Sequence, residues 1–166
     1  GDYMWLSEIS KRILKPNGHL LAYVTQEHLP LQLATMSEHM QYVWLFAIQL
    51  FGRRAPMWQK KIQMCGQMIA WYTHSGFSHP AWVSDFIGVV AKQANGHKWR
   101  KGITESMHYV NGFTSPDDVI VDFFCGGGTI PMVAKTTGRR YLAFERDNET
   151  AIMARQRVRD AQSPLF

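Results

Sequence analysis

Residues 118–129 read DVIVDFFCGGGT, and this stretch decides how the rest of the sequence is interpreted. A run of β-branched and aromatic residues ends at Phe124, three glycines occupy positions 126–128, and a helical pattern begins at Thr129. The pattern predicts a strand, a tight turn and the start of a helix. Because glycines can take positive φ and leave backbone N–H groups accessible, such a turn at the end of a parallel strand is a typical ligand site in open α/β sheets.

The residues around the glycines narrow the class of ligand. A phosphate-binding Walker loop needs a lysine after its last glycine, but Thr129 and Ile130 stand there. A dinucleotide fingerprint needs a third glycine where Pro131 stands, and Asp122 would repel a pyrophosphate. The sequence therefore favours a positively charged ligand without phosphate. A nicotinamide-dependent oxidoreductase is the least favoured of the alternative functions.

A second carboxylate is predicted to lie beside the first. The helix Thr129–Thr137 leads into a strand, Arg140–Glu145, and a final helix is capped by Asp147 or Asn148. Parallel strands joined in this way end at one edge, so Asp122 and Glu145 are expected there together. The alternative is that each acid only accepts hydrogen bonds from nearby backbone.

The same residues carry a family resemblance. Positions 122–129 read DFFCGGGT, which resembles the D-P-F-x-G-S-G-T motif with which DNA amino-methyltransferases bind S-adenosylmethionine (AdoMet). Phe123 stands at the usual proline. Positions 138–147 read GRRYLAFERD, similar to that family's G-R-x-Y-x-G-x-E-x-D, with Ala143 where glycine is common. His97 and Lys101 match the histidine and lysine of its H-P-x-x-K-P segment.

The resemblance implies a fold and a cofactor site. The expected fold is a Rossmann-like α/β methyltransferase domain over residues 1–166, with a mostly parallel sheet, flanking helices and an antiparallel hairpin. Within it, residues 1–96 would form the target side and residues 97–166 the AdoMet side. Glu145 would hold the ribose hydroxyls, and no metal is required. The residues expected to bind AdoMet are Asp122, Phe123, Phe124, Cys125, Gly126, Gly128, Thr129, Glu145 and Lys101.

The order of the motifs implies a circularly permuted member of the family. A helix, the segment KPNG at 15–18 and the strand His19–Thr25 are similar to the unit that follows the family's catalytic motif, D/N/S-P-P-Y/F/W. No Pro-Pro pair occurs in the sequence, so no catalytic residue is assigned to it. We expect that motif and its strand upstream of Gly1, in a chain truncated at its amino terminus and inactive alone.

Composition and charge bear on partners and compartment. No apolar run is long enough to span a bilayer, and the two cysteines, which have no metal spacing, suggest a reducing compartment. The family resemblance implies a cytoplasmic protein encoded by a bacterium or a phage. The net charge of +5 suits a polyanion. The loop between the strands Val43–Phe51 and Met64–Tyr72 interleaves Trp58 with basic residues, a pattern that suits either a contact surface for nucleic acid or a solvated hairpin tip with Trp58 folded onto the sheet. The family resemblance favours contact with double-stranded DNA by Arg53, Arg54, Lys60 and Lys61.

Two helices complete the predictions. A helix from Ile103 to Asn111 is expected to pack through Ile103, Met107 and Val110 and to stop at Gly112. The arginines at 155, 157 and 159 of the last helix are expected to form a solvated face.

The predicted function is transfer of a methyl group from AdoMet to the exocyclic amine of adenine or cytosine in DNA, on a base rotated out of the stack. The alternatives are an inactive relative that only binds nucleic acid and a methyltransferase acting on RNA or protein. Restriction modification is one setting that the family implies. The oligomeric state is not readable from the sequence.

Overall fold

The structure is a computed structural model that describes residues 2–52, 55–76, 82–90 and 102–162. Two compact units divide the chain: the first comprises residues 1–78 and 84–91, and the second comprises residues 79–83 and 92–166. The described helices are α1 Asp2–Ile13, α2 Leu29–Ser37, α3 Ile103–Phe113, α4 Thr129–Thr136 and α5 Asn148–Asp160. The strands are β1 His19–Val24, β2 Gln41–Phe51, β3 Ala55–Met57, β4 Ile62–Met64, β5 Gly66–Thr73, β6 Phe86–Val90, β7 Val119–Asp122 and β8 Arg140–Ala143.

The first unit is built on a four-stranded sheet in the order β1-β5-β2-β6. β5 is antiparallel to both β1 and β2, whereas β2 and β6 are parallel, so three of the four strands share one direction. This sheet is therefore mixed: it contains antiparallel pairing, as predicted, beside one parallel pair of strands. β2 is an interior strand of this sheet, but Trp44 is about half exposed, so the amino-terminal part of β2 is not covered on both faces.

Helical and strand residues together form the core of this unit. α1 and α2 pack on each other, and α2 contacts β2. Met36 and Tyr72 are fully buried, and Ile48 and Ile69 are almost so. Met40, three residues after the end of α2, is buried as well. Phe86–Val90 is the strand of this sheet that pairs with β2 in parallel.

In the second unit, α4 packs against β7, β8, α3 and α5. Val133 and Ala134 of α4 are fully buried. β7 and β8 form a parallel pair in which Asp122 is level with Ala143. This strand–helix–strand unit agrees with the prediction to within two residues at each boundary, because its apolar periodicity and its glycines are unambiguous.

The prediction for α3 is wrong in two respects. The helix runs through Gly112 to Phe113, and its buried side chains include Tyr109 and Val110, whereas Ile103 and Met107 are more than a third exposed. A Cβ at Gly112 would lie 2.5 Å from Val83 Cγ2. Glycine stands there because another segment approaches closely, and not because the helix ends.

Candidate functional site

A turn rich in glycine joins β7 to α4 and forms the centre of the candidate site. Gly126 and Gly128 both have positive φ, of 48° and 73°. The Gly128 N–H donates to the Cys125 carbonyl at 2.8 Å, which closes the turn. α4 then begins at Thr129 without a side-chain cap, so the predicted strand, turn and helix are all present.

The three glycines have different surroundings. A Cβ on Gly128 would lie 3.0 Å from Ala154 Cβ and 3.2 Å from the Ala154 carbonyl oxygen, so α5 packs directly on the backbone there. A Cβ on Gly126 or Gly127 would have no heavy atom within 4 Å, apart from neighbours in the chain. Gly128 is thus required by packing, while Gly126 and Gly127 leave space in which a ligand could touch bare backbone.

Asp122 and Glu145 lie at the same edge of the β7–β8 pair, as predicted. Asp122 is the last residue of β7 and pairs with Ala143, the last residue of β8. Glu145 follows Ala143 by two residues. Asp122 Oδ1 accepts the Phe124 N–H at 3.1 Å, and Glu145 Oε2 accepts the Gly126 N–H at 3.0 Å. Both acids therefore stabilise the turn through hydrogen bonds from its backbone. Because a carboxylate can accept several hydrogen bonds, each acid can also accept one from a ligand.

Glu145 also links the turn to the last helix. Its Oε1 accepts the Asp147 N–H at 2.9 Å, and Asp147 in turn caps α5 by accepting the Thr150 N–H at 2.8 Å. The sequence left Asp147 and Asn148 as alternative caps, and Asp147 is the cap. A single carboxylate thereby fixes the glycine turn relative to the start of α5.

The electrostatic character of the site is acidic. Burial raises the pKa of Asp122, the hydrogen bond from the Phe124 N–H lowers it, and the neighbouring charge of Glu145 raises it further. Burial, Asp122 and Glu145 also raise the pKa of the Cys125 thiol to about 11. Cys125 is therefore a neutral thiol at neutral pH and a poor nucleophile, whereas a positive ligand group would relieve the strain between the two carboxylates.

We expect Asp122→Asn to stabilise the fold near neutral pH. Because the pKa of Asp122 is raised in the folded state, the protonated carboxyl favours folding. This contribution to the free energy of unfolding is complete below the unfolded-state pKa and is lost as pH rises through the folded-state pKa. The amide oxygen can still accept the Phe124 N–H, while the charge is removed. Thermal unfolding at pH 4 and pH 7 measures the effect, and the melting temperature of the variant should exceed that of the unmodified chain only at the higher pH. An equal or lower melting temperature at pH 7 would contradict this account.

Aromatic side chains stand next to the acids. The rings of Phe123 and Phe144 stack with centroids 5.8 Å apart and planes 17° apart. Phe124 is 62% exposed and Phe144 is 52% exposed. An exposed aromatic surface beside a glycine turn suits a ligand with a flat, apolar ring.

Thr129 and Arg157 form a contact that the sequence did not predict. Thr129 is buried, and its hydroxyl accepts a hydrogen bond of 2.9 Å from Arg157 Nη1, which also donates to the Gly127 carbonyl at 2.9 Å. The prediction that Arg157 lies on a solvated face is wrong, whereas Arg155 and Arg159 are exposed. The available signal was spacing: Arg157 follows the buried Ala154 by three residues and therefore shares its face of the helix.

The predicted DNA-contacting loop forms the β3–β4 hairpin. Trp58 at its tip is 84% exposed and does not fold back onto the sheet. Lys60 Nζ pairs with Glu27 Oε1 at 2.8 Å, so part of its charge is already neutralised. Lys61 has a left-handed backbone with φ of 52°. Arg53, Arg54 and Lys101 lie outside the described residues.

The described ranges lack two kinds of feature. No helix there has the length and apolar character required to cross a bilayer. No group of three or more His, Cys, Asp or Glu side chains in those ranges is arranged to hold a metal ion.

Comparison with known proteins agrees with this geometry. A family model described as DNA methylase, for the N6 and N4 enzymes, matches residues 82–156. This part of the chain, slightly less than half of it, is therefore similar to the N6/N4 DNA methylase family. The match covers α3, the β7–β8 pair, the glycine turn, Glu145 and most of α5.

Individual members of the family are also similar to the chain. The type II methyltransferase M.HinfI of Haemophilus influenzae is 40% identical over 47 residues, which are 28% of this chain and 13% of that protein. The alignment therefore spans much less than two thirds of this curated relative.

Solved methylase structures share the fold. The crystal structure of the M1.HpyAVI–SAM complex has a TM-score of 0.79 with 14% identity, covering 94% of this chain and 81% of that one. The cytosine-N4-specific PvuII DNA methyltransferase has a TM-score of 0.71 with 16% identity, covering 97% and 78%. The predicted Rossmann-like methyltransferase fold is confirmed by these similarities.

Proposed function

We propose that this chain supplies the AdoMet-binding part of a DNA amino-methyltransferase. The observation that carries the proposal is the pair Asp122 and Glu145 at one strand edge, on either side of a glycine turn with open space at Gly126 and Gly127. That arrangement suits a ligand with a positive charge, hydroxyl groups and no phosphate. The match of residues 82–156 to the DNA methylase family and the M1.HpyAVI–SAM complex support this choice.

The residues present fit the proposed cofactor. Glu145 would accept hydrogen bonds from the ribose hydroxyls, and Asp122 would face the positive charges of the methionine part. Phe123, Phe124 and Phe144 offer apolar surface for the adenine ring, and Cys125, Gly126, Gly128 and Thr129 form the backbone wall. AdoMet, when bound, supplies a methyl group on a sulfonium that is activated toward nucleophiles. Lys101 completes the proposed set by family resemblance.

The protein's contribution to such a reaction would be positioning. An exocyclic amine of adenine or cytosine is a weak nucleophile because its lone pair is delocalised into the ring, so proximity and orientation carry much of the rate. Asp122, the glycine turn and Glu145 would fix the donor relative to a base rotated out of the duplex. The residues that accept the amine hydrogens are not assigned within residues 1–166, since no Pro-Pro pair occurs in them.

The β3–β4 hairpin is the proposed contact with DNA. Its exposed Trp58 and its two lysines combine an aromatic surface with positive charge, which suits contacts to bases and phosphates. Arg53 and Arg54 belong to the same proposed surface by their sequence position. The ion pair of Lys60 with Glu27 would have to open or rearrange for Lys60 to contact phosphate.

Ligand titration of the full 166-residue chain tests the cofactor proposal. AdoMet is compared with 5′-methylthioadenosine, which keeps the adenine and ribose but lacks the sulfonium and the amino acid. We expect Asp122→Asn to weaken AdoMet at least tenfold, about 1.4 kcal/mol, and methylthioadenosine much less, because only AdoMet is positively charged. Glu145→Gln should weaken both, because both contain the ribose.

The pattern across the two ligands decides the outcome. Equal losses for both ligands in Asp122→Asn would overturn the role assigned to its charge. Binding of NAD but not of AdoMet by the unmodified chain would overturn the proposed function itself. Arg140→Gln, a charge-changing substitution at an exposed residue at the opposite end of β8, serves as the control and should leave both affinities unchanged.

A further inference from the structure

We propose that Arg157 is a positioning residue that sets the conformation of the glycine turn from α5, and so determines whether the turn can accept AdoMet. Its Nη1 atom donates to two neighbouring points of the turn, the Gly127 carbonyl and the Thr129 hydroxyl, each at 2.9 Å. The expected effect of Arg157 on AdoMet affinity rests on the function proposed above. The expected effect of Arg157 on the conformation of the glycine turn is independent of that function.

The peptide held by Arg157 has little intrinsic conformational preference. It joins Gly127 to Gly128, so neither flanking residue has a Cβ to restrict φ and ψ. A hydrogen bond from a charged donor is stronger than one from a neutral donor, and it can therefore select one orientation of such a peptide. With the Gly127 carbonyl directed at the guanidinium, the Gly128 N–H reaches the Cys125 carbonyl and closes the turn.

α5 holds the turn at several successive residues. Glu145, just before α5, accepts the Gly126 N–H, Arg157 binds the Gly127 carbonyl, and the backbone of Ala154 packs against Gly128. Among these contacts, that of Arg157 supplies a positively charged donor. It also reaches Thr129, the first residue of α4, and so joins the start of one helix to a later turn of the other.

The position of this contact indicates that Arg157 affects ligand binding only indirectly, through the structure of the turn. Thr129 is 4% exposed and Arg157 is only partly exposed, so the guanidinium supports the turn from its protein side, where Ala154 and α5 also lie. Arg157 therefore acts through the backbone and not by contact with ligand.

The test compares Arg157→Met with Arg155→Met and Arg157→Lys in the full chain. Methionine keeps the apolar stem of the arginine but has no donor. Arg155 is an exposed residue of the same helix that lies near enough to influence the charge balance at Cys125, so its variant controls for loss of a positive charge near the turn. Lysine restores one charged donor.

The first measurement needs no ligand. Two-dimensional NMR of selectively labelled glycine should show the Gly127 and Gly128 amide signals shifted or broadened by exchange in Arg157→Met, unchanged in Arg155→Met, and partly recovered in Arg157→Lys. The Gly112 signal, from the interior of α3, is an internal reference that a general loss of stability would also disturb. Unchanged turn signals in Arg157→Met would overturn the proposal.

The second measurement is AdoMet affinity in the same variants. We expect a loss of at least tenfold in Arg157→Met, a change of less than threefold in Arg155→Met, and an intermediate value in Arg157→Lys. If the unmodified chain binds no AdoMet, the proposed function fails, while the glycine signals still decide the role of Arg157. If affinity falls equally in Arg155→Met and Arg157→Met, the effect is one of net charge and the positioning role is refuted.

Discussion

Replacement of Gly128 by alanine is expected to destabilise the protein by about 2–4 kcal/mol, from a left-handed backbone and a steric clash together. Gly128 has a φ of 73°, and its added Cβ would lie 3.0–3.2 Å from backbone and Cβ atoms of Ala154. Those atoms belong to a helix and cannot move away as a flexible side chain could. Chemical denaturation of the unmodified and variant chains measures the loss directly.

The neighbouring glycines provide matched controls for that experiment. Gly126→Ala has positive φ but open space, so it should cost only the backbone term, about 1–2 kcal/mol. Gly127→Ala has neither positive φ nor a neighbour within 4 Å, so its stability should be unchanged within about 0.5 kcal/mol. If Gly128→Ala were no worse than Gly126→Ala, the packing of α5 against the turn would not be as described.

Gly127→Ala also separates folding from binding. Its methyl group would enter the open space at the turn, so weaker AdoMet binding at unchanged stability would place the ligand against this backbone. The three glycines, adjacent in sequence, thus have separable roles in packing, backbone conformation and ligand access. Sequence alone predicts the turn but not this division, because the division depends on where α5 lies.

Short-range patterns account for what the sequence predicted well. The strand 119–122, the turn and α4 follow from a change of apolar periodicity and from three adjacent glycines. The placement of Asp122 and Glu145 at one edge follows from the geometry of a parallel strand–helix–strand unit and is confirmed by the register. The Asp147 cap was one of two adjacent possibilities, and such boundaries depend on a single hydrogen bond.

Long-range contacts account for what the sequence did not predict. Gly112 is occupied by glycine because Val83 approaches it, and Arg157 is partly buried because Gly127 and Thr129 offer it acceptors. In both cases the deciding partner is about 30 residues away, where periodicity carries no information. Trp58 is a different case, since an exposed tryptophan at a hairpin tip runs against the burial expected from its size.

Replacement of Arg139 by methionine is the second prediction with a large expected effect. Arg139 donates from Nε and Nη2 to the hydroxyl and carbonyl of Thr114, at 3.2 and 2.7 Å, and from Nη1 to the Thr137 carbonyl at 2.6 Å. The side chain therefore ties the end of α3 to the connection between α4 and β8. Loss of three charged hydrogen bonds, two of them to carbonyls that are left unsatisfied, should destabilise the fold by about 2–4 kcal/mol in urea denaturation.

Arg140→Met is the control, because it removes the same charge one residue later. Arg140 is exposed and donates from Nε to the Asp117 carbonyl at 3.1 Å, so its loss should cost less than about 1 kcal/mol. Equal losses in the two variants would show that the Thr114 contacts contribute little.

Arg139 fixes the start of β8, and the register of β8 with β7 sets Glu145 beside Asp122. Any AdoMet binding that survives in Arg139→Met should therefore be weaker than in Arg140→Met when both are measured under conditions where the chains remain folded.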